Sequence, residues 1–269
     1  MKTAIVVSVS RTAFEALASA ADVGAAFDLA RLNGFDAVEI AVRDPALVSA
    51  RDIAQLAADH GLAIAAIGTG QAWVEEGLSL SSPDAGLRDR AKERMRSQLR
   101  LGAELSAQVI VGLIRGTAEK SEIESALGRL SENLAALGEY ARELAGPGLL
   151  FEPINRYETR LINSVAQAIS FLEPMGDLPV RILADTFHMN IEDGDIARAV
   201  AACGPRLGHA HFADSNRWAP GQGHLDFAPI VAALRRMGYS GYLSAEIMPL
   251  PSTEEAFKLT GEFFRKMQE

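Results

Sequence analysis

Apolar residues fall along this chain in two patterns that take turns from one end to the other. Short runs of β-branched and aliphatic residues give way to longer segments whose apolar positions recur every three or four residues, the spacing of one helix face. The runs at 3–9, 35–42, 62–67, 109–113, 149–151, 180–185, 207–212 and 242–247 read as strands. Helical spacing covers 21–32, 45–60, 84–104, 122–144, 164–172, 195–202, 227–237 and 253–267. On the first helix Val23, Ala26, Phe27 and Ala30 share a face, and Asn33-Gly34 supplies a stop. Gly61, the Gly146-Pro147-Gly148 break, Gly204-Pro205 and Gly238 punctuate later units, Ser10-Arg11 ends the first strand, and 71–82 reads as a long loop carrying Trp73, Glu75 and Glu76.

Eight strand-then-helix units in 269 residues match the count and size of a (β/α)8 TIM barrel. Each helix is the crossover that parallel strand pairing needs, so the sheet is expected to be parallel. A doubly wound open sheet is the competing α/β architecture, but no Gly-x-Gly-x-x-Gly follows the first strand. No linker rich in Pro, Ser or charge interrupts the pattern, and a single domain over 1–269 is expected.

Composition narrows the function. Hydrophobic residues make up 48% and charged ones 23%, ordinary for a globular chain with a large core. A formal net charge of −9 argues against a nucleic-acid partner, whose phosphates call for a basic face. Cys203 is the only cysteine, which removes disulfide frameworks and cysteine-rich zinc sites. The first apolar run is too short for a signal sequence, and no stretch of about 18 apolar residues suggests a membrane span. A cytoplasmic protein is therefore expected.

In a barrel, chemistry gathers at the C-terminal ends of the strands. Glu152 stands directly on the apolar tip Leu149-Leu150-Phe151, where an unpaired charge is costly. Asp185, His211 and Glu246 stand at the ends of the sixth, seventh and eighth strands, each about one β/α unit further on. Three carboxylates and one imidazole make a hard donor set, suited to one divalent ion: Mn²⁺ first, with Mg²⁺ or Co²⁺ as alternatives. Taken alone, Asp185 is as well read as a helix cap. His209 lies on the same strand face as His211; His211 is preferred because it is nearer the strand end, and His209 reads as a lower-layer barrel residue. His60, before Gly61, reads as a helper at a helix C-terminus. Arg115, Arg156 and Arg160 are candidates for a substrate carboxylate or phosphate, weighed against pairing with Glu39 or surface acids. Trp73 and Trp218 sit in loops that can cover a substrate.

The run Phe151-Glu152-Pro153-Ile154-Asn155-Arg156-Tyr157-Glu158, with Asp185-Thr186-Phe187-His188-Met189-Asn190 and His211-Phe212-Ala213-Asp214-Ser215-Asn216-Arg217, resembles the motifs of the sugar isomerase/epimerase superfamily with a xylose-isomerase-like barrel. Within it the likeness is to ketose 3-epimerases and the 5-keto-L-gluconate epimerase group. The resemblance implies metal ligation by Glu152, Asp185, His211 and Glu246, and substrate contacts from Glu158, His188 and Arg217. It also implies a ketose or keto-sugar acid as substrate, with homo-oligomers common among such barrels. The chemistry expected is proton abstraction beside a carbonyl and proton return through an enediolate, Glu152 and Glu246 acting from opposite faces with a divalent ion stabilising the charge. An aldose–ketose isomerase of hydroxypyruvate type and an inosose dehydratase share the ligand set. A non-catalytic sugar-binding barrel would not need both glutamates.

Overall fold

Each apolar run pairs in parallel with the run before and the run after it, and the last pairs with the first. In the computed structural model, which describes residues 1–9 and 23–268, β1 is Lys2–Ser8, β2 Ala37–Ala41, β3 Ala63–Gly68 and β4 Gln108–Val111. They are followed by β5 Leu149–Phe151, β6 Val180–Asp185, β7 Leu207–His211 and β8 Tyr242–Ala245. The strand order is β1 through β8 in sequence, closed into a barrel. The expected parallel (β/α)8 architecture is the observed one.

The helices that wrap it are α1 Val23–Leu32, α2 Ala50–Asp59, α3 Gly70–Glu76, α4 Ala85–Leu105 and α5 Ile123–Glu143. After them come α6 Val165–Leu172, α7 Thr186–Glu192, α8 Ile196–Cys203, α9 Ala228–Arg236 and α10 Thr253–Gln268. Their starts follow from capping chemistry. Asp84 accepts from the Leu87 amide, Asp195 from Arg198, and Ser164 forms a reciprocal capping box with Gln167. On α1 the expected apolar face holds, with Ala26, Phe27 and Ala30 fully buried. The expected start of that helix at residue 21 and the Ser10-Arg11 strand end lie outside the described residues.

Three segments depart from the sequence expectation, each for a local reason. The single helix expected over 45–60 divides, because Val48 and Ser49 are extended and Ser49 caps a new helix at Ala50. The loop expected over 71–82 begins as helix α3, closed by Gly77 at φ 66°, a left-handed conformation that glycine adopts without a Cβ clash. The stretch after Asp185 is the helix α7, whose first amides, Phe187 and His188, donate to the Asp185 carboxylate.

Residues alternate across each strand. One set faces the helices and joins the main core, as Ile5, Val7, Val38 and Ile40 do. The other set fills the lumen with small clusters: Ala4, Ala37 and Ala65 in one, Ala66, Ile110, Leu150 and Leu183 in another.

Candidate active site

Glu152 follows β5, Asp185 ends β6, His211 ends β7 and Glu246 follows β8. One donor atom from each lies within 4.8 Å of every other. His211 Nδ1 is 3.4 Å from Asp185 Oδ2, 3.8 Å from Glu152 Oε1 and 4.0 Å from Glu246 Oε2. The structure thus brings together all four residues that the strand-end argument selected.

Three of these atoms, Glu152 Oε1, Asp185 Oδ2 and His211 Nδ1, are buried and have no hydrogen-bond partner among the described residues. Such atoms are rare in folded proteins and call for an explanation. Asp185 shows the division most clearly: Oδ1 caps α7 through the Phe187 and His188 amides at 2.7 and 3.2 Å, and Oδ2 is left facing the cluster. The two readings of Asp185, helix cap and site residue, belong to different oxygens of one carboxylate.

The electrostatics agree. Burial pushes Glu152 well above the ordinary carboxylate range, and Glu246 and Asp185 push the same way against His211 and Arg115. Burial also raises Glu246, opposed by Arg217 and His211. Asp185 lies low, because His188, His211 and Arg217 outweigh the burial that opposes its charge. Burial likewise opposes a charge on His211, but Glu39, Asp185 and Glu246 outweigh it and lift the imidazole well above its usual value. Carboxylates this crowded hold protons or a cation. Three hard oxygen donors, one imidazole nitrogen and three unpartnered atoms aimed at one point fit a divalent ion.

A cavity of about 500 Å³, its mouth included, opens beside the cluster, and Glu152, Glu158, His188, Arg217 and Glu246 all line it. Arg217 Nη2 donates to Glu246 Oε2 at 2.7 Å, its Nη1 lies 3.5 Å from Glu158 Oε1, and the guanidinium stacks on Phe187 at 4.9 Å. Its backbone is left-handed at φ 62°, unusual for a non-glycine residue and frequent where side chains are aimed for function. Asp214 builds the loop that holds it, accepting from the amides of Ser215, Gly221 and Leu225 at 2.8, 2.8 and 3.1 Å. Burial lowers His188 to about 4, so its ring is neutral near pH 7. Asn155 Nδ2 lies 2.8 Å from His188 Nδ1 and 2.8 Å from Glu158 Oε1. With Nδ1 accepting from Asn155, the ring carries its proton on Nε2, 3.7 Å from Glu152 Oε1.

The remaining arginine and tryptophan candidates fall elsewhere. Arg115 is fully buried and donates to the carbonyls of Gly112, Leu161, Ile162 and Val111 at 3.0–3.3 Å, with its guanidinium 4.3 Å above the Phe151 ring. Its fork is filled by backbone, so it is no receptor for a substrate carboxylate or phosphate. Arg156 is clamped by Glu192 at 2.8 Å, and Arg160 pairs with Glu119 at 3.3 Å on the exposed surface. Neither arginine, and neither Trp73 nor Trp218, is among the described residues lining the cavity. His60 caps α2, its Nδ1 lying 2.7 Å from the Leu56 carbonyl. The sequence argument missed the pairing of Glu39 with His209 and His211, and the bridging position of Asn155. Glu39 did carry a signal: it is an acid between Val38 and Ile40 on a buried strand, the same anomaly that marked Glu152.

Residues 27–267 match the family described as xylose isomerase-like TIM barrel. The chain belongs to this family. Within it, the chain is 32% identical over 223 residues to the L-ribulose 3-epimerase of Mesorhizobium japonicum, spanning 80% of this chain and 72% of that protein. It is 31% identical over 221 residues to the D-psicose 3-epimerase of Agrobacterium fabrum, spanning 79% and 75%. The crystal structure of D-psicose 3-epimerase with D-tagatose from Clostridium cellulolyticum H10 superposes with a TM-score of 0.80 at 26% identity, covering 96% of this chain and 90% of that one. These relatives are epimerases, enzymes of the isomerase class, so the sequence resemblance holds at the level of family and fold.

Proposed function

We propose that this xylose isomerase-like barrel is a divalent-metal-dependent ketose 3-epimerase. The observation that carries the reading is the convergence of Glu152 and Glu246, from strands on different sides of the barrel, on one cavity next to an unpartnered metal-type donor set. Glu152, Asp185, His211 and Glu246 would hold the ion. When bound, the ion supplies positive charge that stabilises the oxyanion developing as a proton leaves the carbon beside the carbonyl.

The chain's own groups supply the rest. One glutamate takes the C3 proton and the other returns a proton to the opposite face, which inverts the centre. Arg217 holds the Glu246 carboxylate in place through its 2.7 Å bond. The His188 ring, fixed by Asn155, directs an N–H donor toward the reacting end, and Glu158 offers an acceptor beside it. Apolar Val6, Ala41 and Leu113 also line the cavity, limiting the water near a reactive intermediate.

Charge favours a neutral ketose over a keto-sugar acid or a sugar phosphate. Among the described residues lining the cavity, the cationic side chain is Arg217, already engaged by Glu246 and Glu158. The test is substitution of each base. Glu152→Gln and Glu246→Gln should each lower 3-epimerisation of D-psicose or L-ribulose by roughly 10²–10⁴-fold, the usual scale for a lost acid–base group, with the folded state retained by circular dichroism. Full turnover by either folded variant contradicts the two-glutamate assignment.

A further inference from the structure

Beneath the cluster lies a second group of buried ionisable side chains that the proposed reaction leaves unused. Glu39 on β2 and His209 on β7 are each 1% exposed, as is His211. Glu39 Oε2 is 2.8 Å from His209 Nε2, and both Glu39 oxygens are 3.1 Å from His211 Nε2. The contact crosses the lumen between strands that are far apart in the closed barrel order. No Lys or Arg pairs with Glu39 among the described residues, so its buried carboxylate depends on these two N–H donors.

We infer that Glu39 is a positioning residue: by accepting the Nε2–H of His211, it fixes the ring tautomer and turns the Nδ1 lone pair toward Glu152, Asp185 and Glu246. The inference rests on the proposed role of those residues and His211 as a metal site. An imidazole that gives one N–H to a carboxylate has its other nitrogen free to bind, and such outer partners orient a ligating ring and raise its basicity. The atoms divide accordingly. His211 Nε2 is bonded to Glu39, whereas Nδ1 is buried without a partner and faces Asp185 Oδ2 at 3.4 Å. His209 takes the remaining demand of the Glu39 carboxylate, holding it level between the two rings.

The same three side chains have the composition of a small metal site of their own. Yet each Glu39 oxygen and both Nε2 atoms lie at hydrogen-bonding distance, and the unpartnered nitrogen points the other way. The structure therefore assigns one ion per chain.

Two measurements test this without relying on turnover. Titration of metal-free protein with Mn²⁺ by calorimetry should give one site per chain in the wild type and a 10- to 100-fold weaker site in Glu39→Gln. The amide keeps one acceptor but turns the other oxygen into a donor, so it cannot accept from both rings, and it lacks the charge that raises the basicity of His211. Equal affinity in folded Glu39→Gln, or two Mn²⁺ per wild-type chain, overturns the inference. A wild type that binds no Mn²⁺ removes the metal-site reading as well. The second measurement needs no variant: in ¹⁵N-histidine-labelled, metal-free protein at alkaline pH, where the ring is neutral, His211 should carry its proton on Nε2. A proton on Nδ1 overturns the assignment even if Glu39→Gln does not fold.

Discussion

At Gly112 the barrel wall stops short so that a carboxylate can fit. A Cβ built there would lie 2.8 Å from Glu152 Oε2. Gly112→Ala should displace that carboxylate by a fraction of an ångström to an ångström, a misplacement that costs on the order of 10²-fold in turnover. Steady-state kinetics on the folded variant checks it. Asn155 is a second such residue. Asn155→Asp replaces the donor facing His188 Nδ1 with an acceptor, so kcat/KM should fall about 10-fold, the scale of a lost hydrogen bond. An unchanged kcat/KM would show that the His188 tautomer does not matter. At this scale the metal-type residues were legible because Glu152, Asp185, His211 and Glu246 each end an apolar run. Glu39 showed the same anomaly, but its partners lie 170 and 172 residues away, and one sequence does not reveal which distant strand faces it.

Among the elements, the arginines separate what local pattern can and cannot convey. Arg115 follows β4 at the active end of the barrel, so its position suggested substrate binding. Its side chain instead turns inward and ties the segment after β4 to the segment after β5 through four carbonyls. Burial lowers it to about 9 against the pull of Glu152 and Glu158, so it remains a cation at neutral pH. Arg115→Met should destabilise the fold by about 3–5 kcal/mol, the usual loss when one partner of a buried charged network is removed, measured by urea unfolding. Arg156→Ala and Arg160→Ala should leave epimerase activity within about twofold, since exposed ion pairs contribute roughly 0–1 kcal/mol. A selective rise in KM for either variant would return it to the substrate site. The helix α7 was missed although its cap was weighed: Asp185 read equally as a helix cap and as a strand-end ligand, and that one oxygen does each job depends on side-chain geometry.

For the whole molecule, barrel closure is what converts one residue per strand into a site. The strand and helix order was readable because eight alternations of period leave few parallel topologies, whereas the convergence at 4.8 Å depends on register and tilt that no local pattern carries. The converged site also concentrates carboxylates in a buried place, a cost that a bound cation offsets. Removing divalent metal should therefore lower the melting temperature. At a metal concentration about 100 times Kd, the linkage is worth about 2.7 kcal/mol, or about 5–10 °C for a chain of this size. A melting temperature indifferent to Mn²⁺, Mg²⁺ and Co²⁺ would contradict the metal-site reading.

In the proposed reaction two glutamates exchange a proton at C3 of a neutral ketose. Incubating the Mn²⁺-loaded protein in D₂O with D-psicose, D-fructose, D-tagatose or L-ribulose, and reading the sugars by NMR, tests it most directly. Deuterium should appear at C3 alone, accumulating in the C3 epimer as it forms. No deuterium at C3 across the panel, or deuterium at C2 of an aldose product, would contradict it.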